Sequence, residues 1–223
     1  MSVNHVAIIL DGNRRFAKSQ GLPTFKGHQK GAETVEQLLD WAKELGVKEL
    51  TLYSFSMQNF NRSKEEFGYL MNLFESFFTK AMKRLEKSKE VRFNFIGRLS
   101  GFPKNVQVLA KNLMVKSKKN TQFTVNFAFG YGGREEIVDA VNALLKKKVK
   151  KVTEKTIAEH LYLNSEPEIV IRTGGEHRTS NFLPWQTVYS EWFFVKKPWP
   201  AFTKNDFKKI IKQFETRERR FGK

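Results

Sequence analysis

Two segments far apart in this chain combine the residue types that bind phosphate. The first is Asp11-Gly12-Asn13-Arg14-Arg15, which directly follows an apolar run at residues 6–10. A carboxylate can hold a divalent cation, glycine lets backbone N–H groups approach an anion, and arginine donates paired hydrogen bonds to phosphate oxygens. This combination predicts a diphosphate-binding loop at the end of a buried strand.

The first segment alone allows two other interpretations. Asp-Gly-Asn is a common polar turn after a strand. An aspartate after a first strand is also the nucleophile of some phosphotransferases. Those enzymes usually carry a second acid two residues later, where this chain has Asn13. A second, distant site must therefore decide between the interpretations.

The second segment spans residues 172–181. Arg172 and Arg178 flank a glycine-rich stretch, and Ser180 follows them. The glycines argue against a helix, and this density of hydrogen-bond donors exceeds what a structural loop needs. The segment predicts a clamp for a second phosphate group.

The rest of the chain predicts an α/β fold with one domain, residues 1–223, in which a central, mostly parallel sheet is flanked by helices. Apolar strand patterns alternate with amphipathic helical patterns, and no linker or repeat interrupts them. Ligands bind at the carboxyl ends of the strands in such sheets. Ser56, Asn59 and Arg62 follow the second strand, so we expect them beside the first loop. The predicted strands are residues 6–10, 50–55, 91–96, 123–128, 169–171 and 191–195.

Two glycine-containing stretches leave alternatives open. Residues 27–31 lead into a helix whose apolar face starts at Ala32, and His28 either caps the start of that helix or acts in the site. The glycine-rich turn at residues 130–133 opens another helix. It either cradles a phosphate or packs tightly against its neighbours.

A phenylalanine-rich helix follows the second strand. Ser63 and Glu66 form a predicted capping box at its start, and that box accounts fully for Glu66. The apolar stripe at residues 67–85 either packs on the sheet or, in part, lines a tunnel for a hydrocarbon chain.

Composition narrows the classes of partner. A formal charge of +17 and a pI near 10.0 favour a polyanionic partner such as nucleic acid, anionic lipid or a phosphorylated small molecule. The lysine run at residues 146–151 is typical of a solvated face. The chain contains no cysteine, which excludes disulfides and thiolate metal sites. With no signal-like or membrane-spanning run, we expect a soluble cytoplasmic protein.

The two phosphate-binding segments and their neighbours resemble the cis-prenyltransferase family, which includes undecaprenyl and dehydrodolichyl diphosphate synthases. The resemblance extends along the whole chain in family order. The all-helical trans-prenyltransferases instead carry Asp-Asp-x-x-Asp motifs, and this chain has no Asp-Asp pair. The matching stretches are HVAIILDGNRRFA from His5, GHQKGA from Gly27, TLYSFSMQNFNRS from Thr51, YGGREEI from Tyr131, IRTGGEHRTSNFLPWQTVYSE from Ile171, and the closing RERRFG.

The resemblance implies a homodimeric enzyme with an elongated hydrophobic tunnel. Such an enzyme joins isopentenyl diphosphate repeatedly to an allylic diphosphate primer and leaves each new double bond cis, which gives a Z-polyprenyl diphosphate that serves as a lipid carrier precursor. The resemblance also implies Mg²⁺ as cofactor. We expect the lysine face to bring the protein transiently to an anionic membrane surface.

Matching positions imply roles for individual residues. Asp11 would hold the Mg²⁺, and Glu191 would assist the metal-linked placement of isopentenyl diphosphate. Arg62 would help ionise the primer, with His28 close by. The residues implied to wrap the allylic diphosphate are Gly12, Asn13, Arg14 and Arg15.

The other implied positions concern the second substrate and the partner subunit. Phe55, Ser56 and Asn59 would lie next to the reacting carbons. Arg172, Arg178 and Ser180 would bind isopentenyl diphosphate. The closing Arg220-Phe221-Gly222 would reach into the neighbouring subunit's site.

Three positions depart from the family pattern. Arg14 stands where many relatives have glycine, and Thr24 stands where bacterial members often place a diphosphate-binding arginine. Pro184 replaces a usual leucine.

Two other functions compete with catalysis. The chain could be a non-catalytic partner subunit of such an enzyme, although known partners of that kind tend to lose the aspartate and arginine motifs that are intact here. It could also be a basic nucleic-acid-binding protein. No helix-turn-helix, RNP or zinc signature supports that alternative, so no nucleic acid is expected as partner.

Overall fold

Six parallel strands form one sheet at the centre of the molecule, which the computed structural model describes for residues 3–217. The strand order is β3-β4-β2-β1-β5-β6, and each of the five neighbouring pairs is parallel. This confirms the predicted α/β class. The strands are β1 (His5–Ile9), β2 (Glu49–Ser56), β3 (Val91–Ile96), β4 (Phe123–Tyr131), β5 (Ile169–Arg172) and β6 (Glu191–Phe194).

Helices connect the strands and cover the sheet. Their bounds are α1 (Asn13–Ser19), α2 (Thr24–Glu44), α3 (Lys64–Lys87), α4 (Lys104–Ser117), α5 (Gly133–Lys146), α6 (Glu154–Ala158) and α7 (Lys204–Glu215). Short 3₁₀ turns occur at Met57–Asn61, Leu99–Gly101 and Trp199–Ala201. Among residues 3–217, no helix combines the length and the apolar composition that crossing a bilayer requires.

The region after β1 differs from the sequence expectation. A short helix, α1, begins at Asn13, and α2 begins at Thr24 rather than after Gly31. Glycine weakens a helix interior, yet Gly27 lies in α2 because α1 packs against it. A Cβ at Gly27 would meet the carbonyl oxygen of Asn13 at 2.0 Å. Thr24, where an arginine was expected from the family, is the first residue of α2.

The core divides unequally between the two faces of the sheet. The larger cluster contains most of the buried phenylalanines, including Phe78 from α3 and Phe127 from β4. The smaller cluster, which includes Ile9, Val170 and Phe182, lies on the other face. The side chains of α3 therefore pack on the sheet, as the stripe at residues 67–85 predicts, and several of them also line the cleft described below.

Candidate active site

The two predicted phosphate loops meet at the carboxyl edge of the sheet. β1 and β5 are neighbours, and Ile9 is in register with Arg172. Because both strands run the same way, the loop after β1 and the loop after β5 leave the sheet side by side. Arg172 Nη2 donates a hydrogen bond to Asp11 Oδ2 over 2.9 Å. The structure thus brings together residues that sequence analysis placed in one site.

Arg172 joins three parts of this edge. Its guanidinium is almost completely buried. Besides Asp11, Nη1 donates to Ser180 Oγ over 2.7 Å and to the carbonyl oxygen of Arg178. Charge-assisted hydrogen bonds of this kind are about twice as strong as those between neutral groups. Arg172 therefore fixes the second loop against the carboxylate of the first.

Glu176 forms a second connection between the loops, which sequence analysis did not single out. Its two oxygens accept hydrogen bonds from Arg15 Nη1 and from Arg178 Nη1, the latter over 2.5 Å. The hydrogen bonds from Arg15 and then Arg178 lower the pKa of Glu176. The signal in the sequence was an acid between two arginines in RTGGEHR. Glu176 therefore holds the two cationic loops together, because Arg15 and Arg178 alone would repel each other.

Backbone geometry requires glycine at two positions of the loops. Gly12 has a φ of 103°, and a Cβ there would meet Pro198 Cβ at 2.8 Å. Gly174 has a φ of 86°, and its Cβ would meet Arg15 Nη2 at 2.7 Å. The turn that holds Trp199 also supports the first loop, because Trp199 N donates to the carbonyl oxygen of Asp11 over 2.9 Å. Sequence analysis missed this role of Trp199.

A cluster around Glu66 forms the opposite rim of the cleft. Glu66 Oε1 lies 3.2 Å from His28 Nε2 and 3.1 Å from Arg62 Nη1, and Glu66 Oε2 lies 3.8 Å from Arg14 Nη1. Ser63 does cap α3, since its Oγ accepts from Glu66 N. The prediction that the capping box accounts fully for Glu66 is wrong, because the carboxylate binds three cationic or ring partners instead of the cap.

His28 and Arg62 are both perturbed by this environment. Burial lowers the pKa of His28, the neighbouring Arg62 lowers it further, and the hydrogen bond to Glu66 opposes both effects. Burial also lowers the pKa of Arg62, with Glu66 opposing it. The option that His28 caps the start of a helix is wrong, because His28 lies inside α2.

An apolar cleft opens beneath the charged rim. It encloses about 1070 Å³ of empty space, including its open mouth. α2 and α3 form its walls, and β2 and β4 supply residues of its base. Its polar members include Asp11, Asn13, His28, Ser56, Asn59, Arg62 and Arg172, and its apolar members include Val35, Leu70, Leu73, Phe74, Phe77, Phe78, Phe127 and Phe129.

A second, polar pocket adjoins the cleft over the first loop. It shares Asp11, Asn13, His28 and Arg62 with the cleft and adds Gly12, Arg14, Arg15 and Arg178. Asn13 Nδ2 donates to the carbonyl oxygen of Leu10 over 3.0 Å, so its side chain is held at the junction. Asn59 Oδ1 accepts from Ser56 N over 3.1 Å and fixes the turn after β2. The two pockets together place residues of both predicted phosphate loops beside the apolar cleft.

The glycine-rich turn before α5 is filled by protein. Gly133 N donates to the carbonyl oxygen of Asn181 over 2.8 Å. A Cβ at Gly133 would meet Pro184 Cδ at 2.0 Å. The packing interpretation of residues 130–133 is therefore confirmed, and Pro184, a departure from the family pattern, forms part of that packing.

Phe55, which was expected next to the reacting carbons, does not line the cleft. Phe55 is 1 % exposed and packs among Phe60, Phe102 and Phe129, so it stands behind the cleft wall rather than next to a substrate. The strand there is irregular, with a register shift on either side of Phe55. That irregularity leaves Ser54 and Ser56 at the cleft.

Glu191, the second predicted metal ligand, is not near Asp11 within this chain. It begins β6 in register with Ile169, and Ile169 pairs with Val6 at the amino side of the sheet. At ~3.3 Å per residue, Val6 and Ile9 are separated by roughly 10 Å along the strand, and Asp11 lies beyond Ile9. Glu191 Oε2 instead accepts from Arg217 Nη1 over 2.6 Å. Arg220 and Gly222 lie outside the described residues.

The side chains at the site fit a magnesium ion whose coordination is completed by phosphate oxygens of the substrate. Among residues 3–217, no group of three or more acidic, histidine or cysteine side chains could hold a metal by itself. Mg²⁺ is usually bound by one or two carboxylates together with phosphate oxygens and water. Asp11 is a partly exposed carboxylate at the junction of two arginine-lined loops. It suits that kind of binding.

A parallel α/β sheet that carries two cationic loops and an apolar cleft at one edge suits a protein that binds molecules made of a diphosphate and a hydrocarbon chain. Comparisons with known proteins agree. The chain belongs to the undecaprenyl diphosphate synthase family of prenyltransferases, whose sequence model matches residues 9–222. It is a prenyltransferase of isoprenoid biosynthesis.

Similar proteins cover nearly the whole chain. An isoprenyl transferase from Thermotoga maritima is 47% identical over 98% of this chain and 96% of its own length. A geranylgeranyl-diphosphate-specific tritrans,polycis-undecaprenyl-diphosphate synthase from Pyrococcus abyssi is 46% identical over 98% of this chain and 86% of its own length.

Solved structures are similar as well. Lavandulyl diphosphate synthase from Lavandula x intermedia, in complex with dimethylallyl diphosphate, has a TM-score of 0.94 at 36% identity and covers 100% of this chain and 99% of its own. A probable undecaprenyl diphosphate synthase from Campylobacter jejuni has a TM-score of 0.85 at 32% identity, with 100% of both chains covered.

Proposed function

We propose that this enzyme is a Mg²⁺-dependent cis-prenyltransferase that joins isopentenyl diphosphate repeatedly to an allylic diphosphate primer. One observation carries the proposal: Arg172 binds Asp11 at the mouth of the apolar cleft, which unites two cationic loops above a hydrophobic channel. Two diphosphates and a hydrocarbon tail need three such compartments. The product would be a Z-polyprenyl diphosphate, a precursor of lipid carriers.

The arginines supply the electrostatic part of the chemistry. Breaking the allylic C–O bond adds negative charge to the departing diphosphate, so fixed positive groups stabilise the transition state more than the ground state. Arg14, Arg15 and Arg62 would bind the primer's diphosphate, with Gly12 and Asn13 shaping the loop. When bound to Asp11, Mg²⁺ would neutralise further charge on that leaving group.

The second loop would hold isopentenyl diphosphate. Arg172, Arg178 and Ser180 offer donors beside the first loop, so the two substrates would be kept adjacent although their diphosphates repel each other. Holding both reactants in one orientation lowers the entropic part of the barrier. Ser56 and Asn59 line the cleft at the level where the two hydrocarbon chains would meet.

The cleft would take up the growing hydrocarbon. Its apolar lining removes the chain from water, which is favourable by ~25 cal/mol for each Å² buried. Phe77 and Phe127 lie with ring centroids 5.6 Å apart, and Phe78 and Phe127 are 6.2 Å apart. We propose that this group of rings closes the tunnel and limits product length.

The enzyme would act as a homodimer in the cytoplasm. Arg217, the last described residue, contacts Glu191 at the side of the sheet opposite the cleft. This position favours the expectation that Arg220 and Gly222 serve the site of a second copy rather than their own. Light scattering of the full chain tests the dimer, and prenyl transfer by a chain that ends at residue 217, compared with the full chain, measures the contribution of the tail to activity.

A membrane surface is the proposed destination of the product. Leu145, Val149 and Val152 are exposed, and the lysines of residues 146–151 lie between them. Apolar side chains amid lysines are suited to anionic lipid headgroups. The protein would therefore be peripheral at the membrane. Sedimentation with vesicles that contain phosphatidylglycerol, against vesicles of phosphatidylcholine alone, measures this association.

One assay tests the main proposal. The purified protein is incubated with Mg²⁺, labelled isopentenyl diphosphate and, separately, dimethylallyl, geranyl, farnesyl or geranylgeranyl diphosphate. The relatives include a geranylgeranyl-diphosphate-specific enzyme, so the longest primer belongs in the series. We expect polyprenyl products whose new double bonds are cis by NMR. Absence of transfer to every primer would contradict the proposal.

The assay also separates the alternatives. A partner subunit would transfer nothing alone, and the complete set of loop arginines does not favour it. A nucleic-acid-binding protein would bind RNA in a salt-sensitive manner and transfer nothing, and the family match does not favour that class.

A further inference from the structure

The loop that carries Ser180 is mounted on the amino end of α5, outside the cleft. Arg134 N donates to Asn181 Oδ1 over 2.9 Å, and Asn181 Nδ2 donates to Glu135 Oε2 over 3.0 Å. The first N–H groups of any helix lack partners within the helix. The residue before α5 is Gly132, which has no side chain to supply one. Asn181 fills this need from a distant part of the chain.

The same contacts hold an unfavourable backbone conformation. Ser180 has a φ of 51° and Asn181 a φ of 64°, both in the left-handed region. This region is uncommon for residues other than glycine, and asparagine tolerates it better than most. Two consecutive left-handed residues therefore need support from outside the turn. The carbonyl of Asn181, bound by Gly133 N, provides some of it.

The turn aims Ser180 at the site. Ser180 Oγ receives the hydrogen bond from Arg172, and its carbonyl oxygen accepts from Tyr53 Oη over 3.3 Å. Arg172 in turn binds Asp11. A continuous series of contacts thus runs from the start of α5 through Asn181, Ser180 and Arg172 to Asp11.

Further hydrogen bonds join the start of α5 to its surroundings. Glu136, in the first turn of α5, is fully buried and accepts from Tyr162 N over 2.8 Å and from Gln186 Nε2 over 3.2 Å. Gln186 lies on the far side of the same loop. The loop is therefore tied to α5 at the left-handed turn, through Asn181, and again beyond it, through Gln186.

We propose that Asn181 is a positioning residue for isopentenyl diphosphate: by capping α5 it holds the left-handed turn that places Ser180 and Arg172. This inference rests on the proposed function, since it assigns that substrate to the second loop. Asn181 does not line the cleft or the adjoining pocket, so it acts through its neighbours.

The test exchanges donor and acceptor between two side chains. Asn181→Asp keeps tolerance for the left-handed conformation and the acceptor for Arg134 N, but it sets a carboxylate against Glu135. Glu135→Gln in the same protein restores a donor to the new Asp. We expect the single Asn181→Asp change to raise KM and Kd for isopentenyl diphosphate roughly tenfold, as loss of the hydrogen bond to Glu135 and repulsion between the two carboxylates would. KM for the primer should change less than about twofold, and the double variant should recover most of the loss.

Controls separate this role from general damage. Asn205→Asp adds the same charge at an exposed position in the first turn of α7, outside the cleft and the adjoining pocket, and should leave both KM values unchanged. Asn181→Gly keeps the left-handed backbone without the cap, and it replaces Asn181→Asp if that protein does not fold. The positioning role is wrong if Asn181→Asp binds isopentenyl diphosphate normally, if it weakens both substrates equally, or if Glu135→Gln brings no recovery.

Calorimetric titration with isopentenyl diphosphate alone keeps the two proposals apart. If the parent protein binds this ligand but transfers to no primer, the proposed function fails, while the binding comparison still decides the role of Asn181. If transfer occurs and Asn181→Asp binds like the parent, only the positioning role is overturned.

Discussion

Arg172 binds Asp11 through a 2.9 Å hydrogen bond, although 161 residues separate them in the chain. β1 and β5 are adjacent, which makes the ends of both strands neighbours in space. A buried guanidinium requires partners, because an unpaired buried charge is costly. The pair is therefore structural as well as functional, and substitutions must be chosen to distinguish the two effects.

Asp11 provides the first prediction. Asp11→Asn keeps an acceptor for Arg172 but removes the charge that a divalent cation needs, so we expect a loss of kcat by roughly 100-fold or more with a smaller drop in melting temperature than Asp11→Ala shows. Asp11→Ala should lose activity and also stability. Incorporation of labelled isopentenyl diphosphate with Mg²⁺, alongside thermal melting, measures both. Full activity of Asp11→Ala would rule out this role.

Arg172→Lys tests the need for a planar fork. Lysine carries the same charge, but it cannot reach Asp11, Ser180 and the carbonyl of Arg178 with the fixed geometry of a guanidinium. We expect kcat/KM for isopentenyl diphosphate to fall about 10- to 100-fold, since one or two charge-assisted hydrogen bonds are lost. Steady-state kinetics at saturating primer measures the change. Equal activity of the two proteins would show that charge alone matters.

Glu66→Gln tests the corrected interpretation of α3. Gln keeps the shape of the side chain and leaves the backbone cap formed by Ser63 intact, but it no longer balances the charge of Arg62, Arg14 and His28. We expect roughly tenfold lower kcat/KM for the primer, the size of a hydrogen bond to a charged group. Glu65→Gln, one residue earlier on the exposed side of the same turn, is the matched control. Equal kinetics of both variants would restore the capping-box explanation.

Phe77→Ala tests which rings limit product length. Phe77 lines the cleft and contacts the ring of Phe127, so its removal should deepen the channel. We expect the product distribution on thin-layer chromatography to shift by about one isoprene unit or more, as a phenyl ring has a volume close to that of one unit, with destabilisation below the ~3–5 kcal/mol typical of a fully buried Phe→Ala change. Phe25→Ala, exposed and outside the cleft, should leave the length unchanged. An unchanged product from Phe77→Ala would place the closure elsewhere.

His5 makes stability depend on pH. Burial lowers its pKa, and Glu49 and Glu168 only partly oppose this effect. Between the lowered value and the ordinary ~6.5, the unfolded chain binds a proton that the folded chain does not. The stabilisation is therefore complete above pH 6.5 and is lost as the pH falls through that interval.

The measurement for His5 is urea denaturation from pH 8 to pH 5. His5→Gln, which keeps a polar group beside Thr51 Oγ1, should show a smaller loss of unfolding free energy on acidification than the parent. Referring each protein to its own value at pH 8 removes the constant effect of the substitution. Identical pH profiles would contradict the prediction.

Local patterns determined most of the fold. Alternation of apolar strand runs with amphipathic helices predicted the parallel sheet, and the loop chemistry predicted which two segments meet at its carboxyl edge. The early start of α2 was missed, because Gly27 and Gly31 argue against a helix and close packing against α1 overrides that propensity. The role of Glu66 in the ion-pair cluster was also missed, because a capping box and an ion-pair cluster both place a glutamate at this position.

The sequence by itself determined the family, the class of the fold and the two cationic loops, because these depend on residue types and on spacing within short segments. Tertiary structure alone decided that Arg172 meets Asp11, that Glu176 bridges the loops, that Phe55 stands behind the wall and that Glu191 lies away from the site. Each of these depends on strand order and register. Strand order brings distant residues together, and a register shift of one residue turns a side chain to the other face of the sheet.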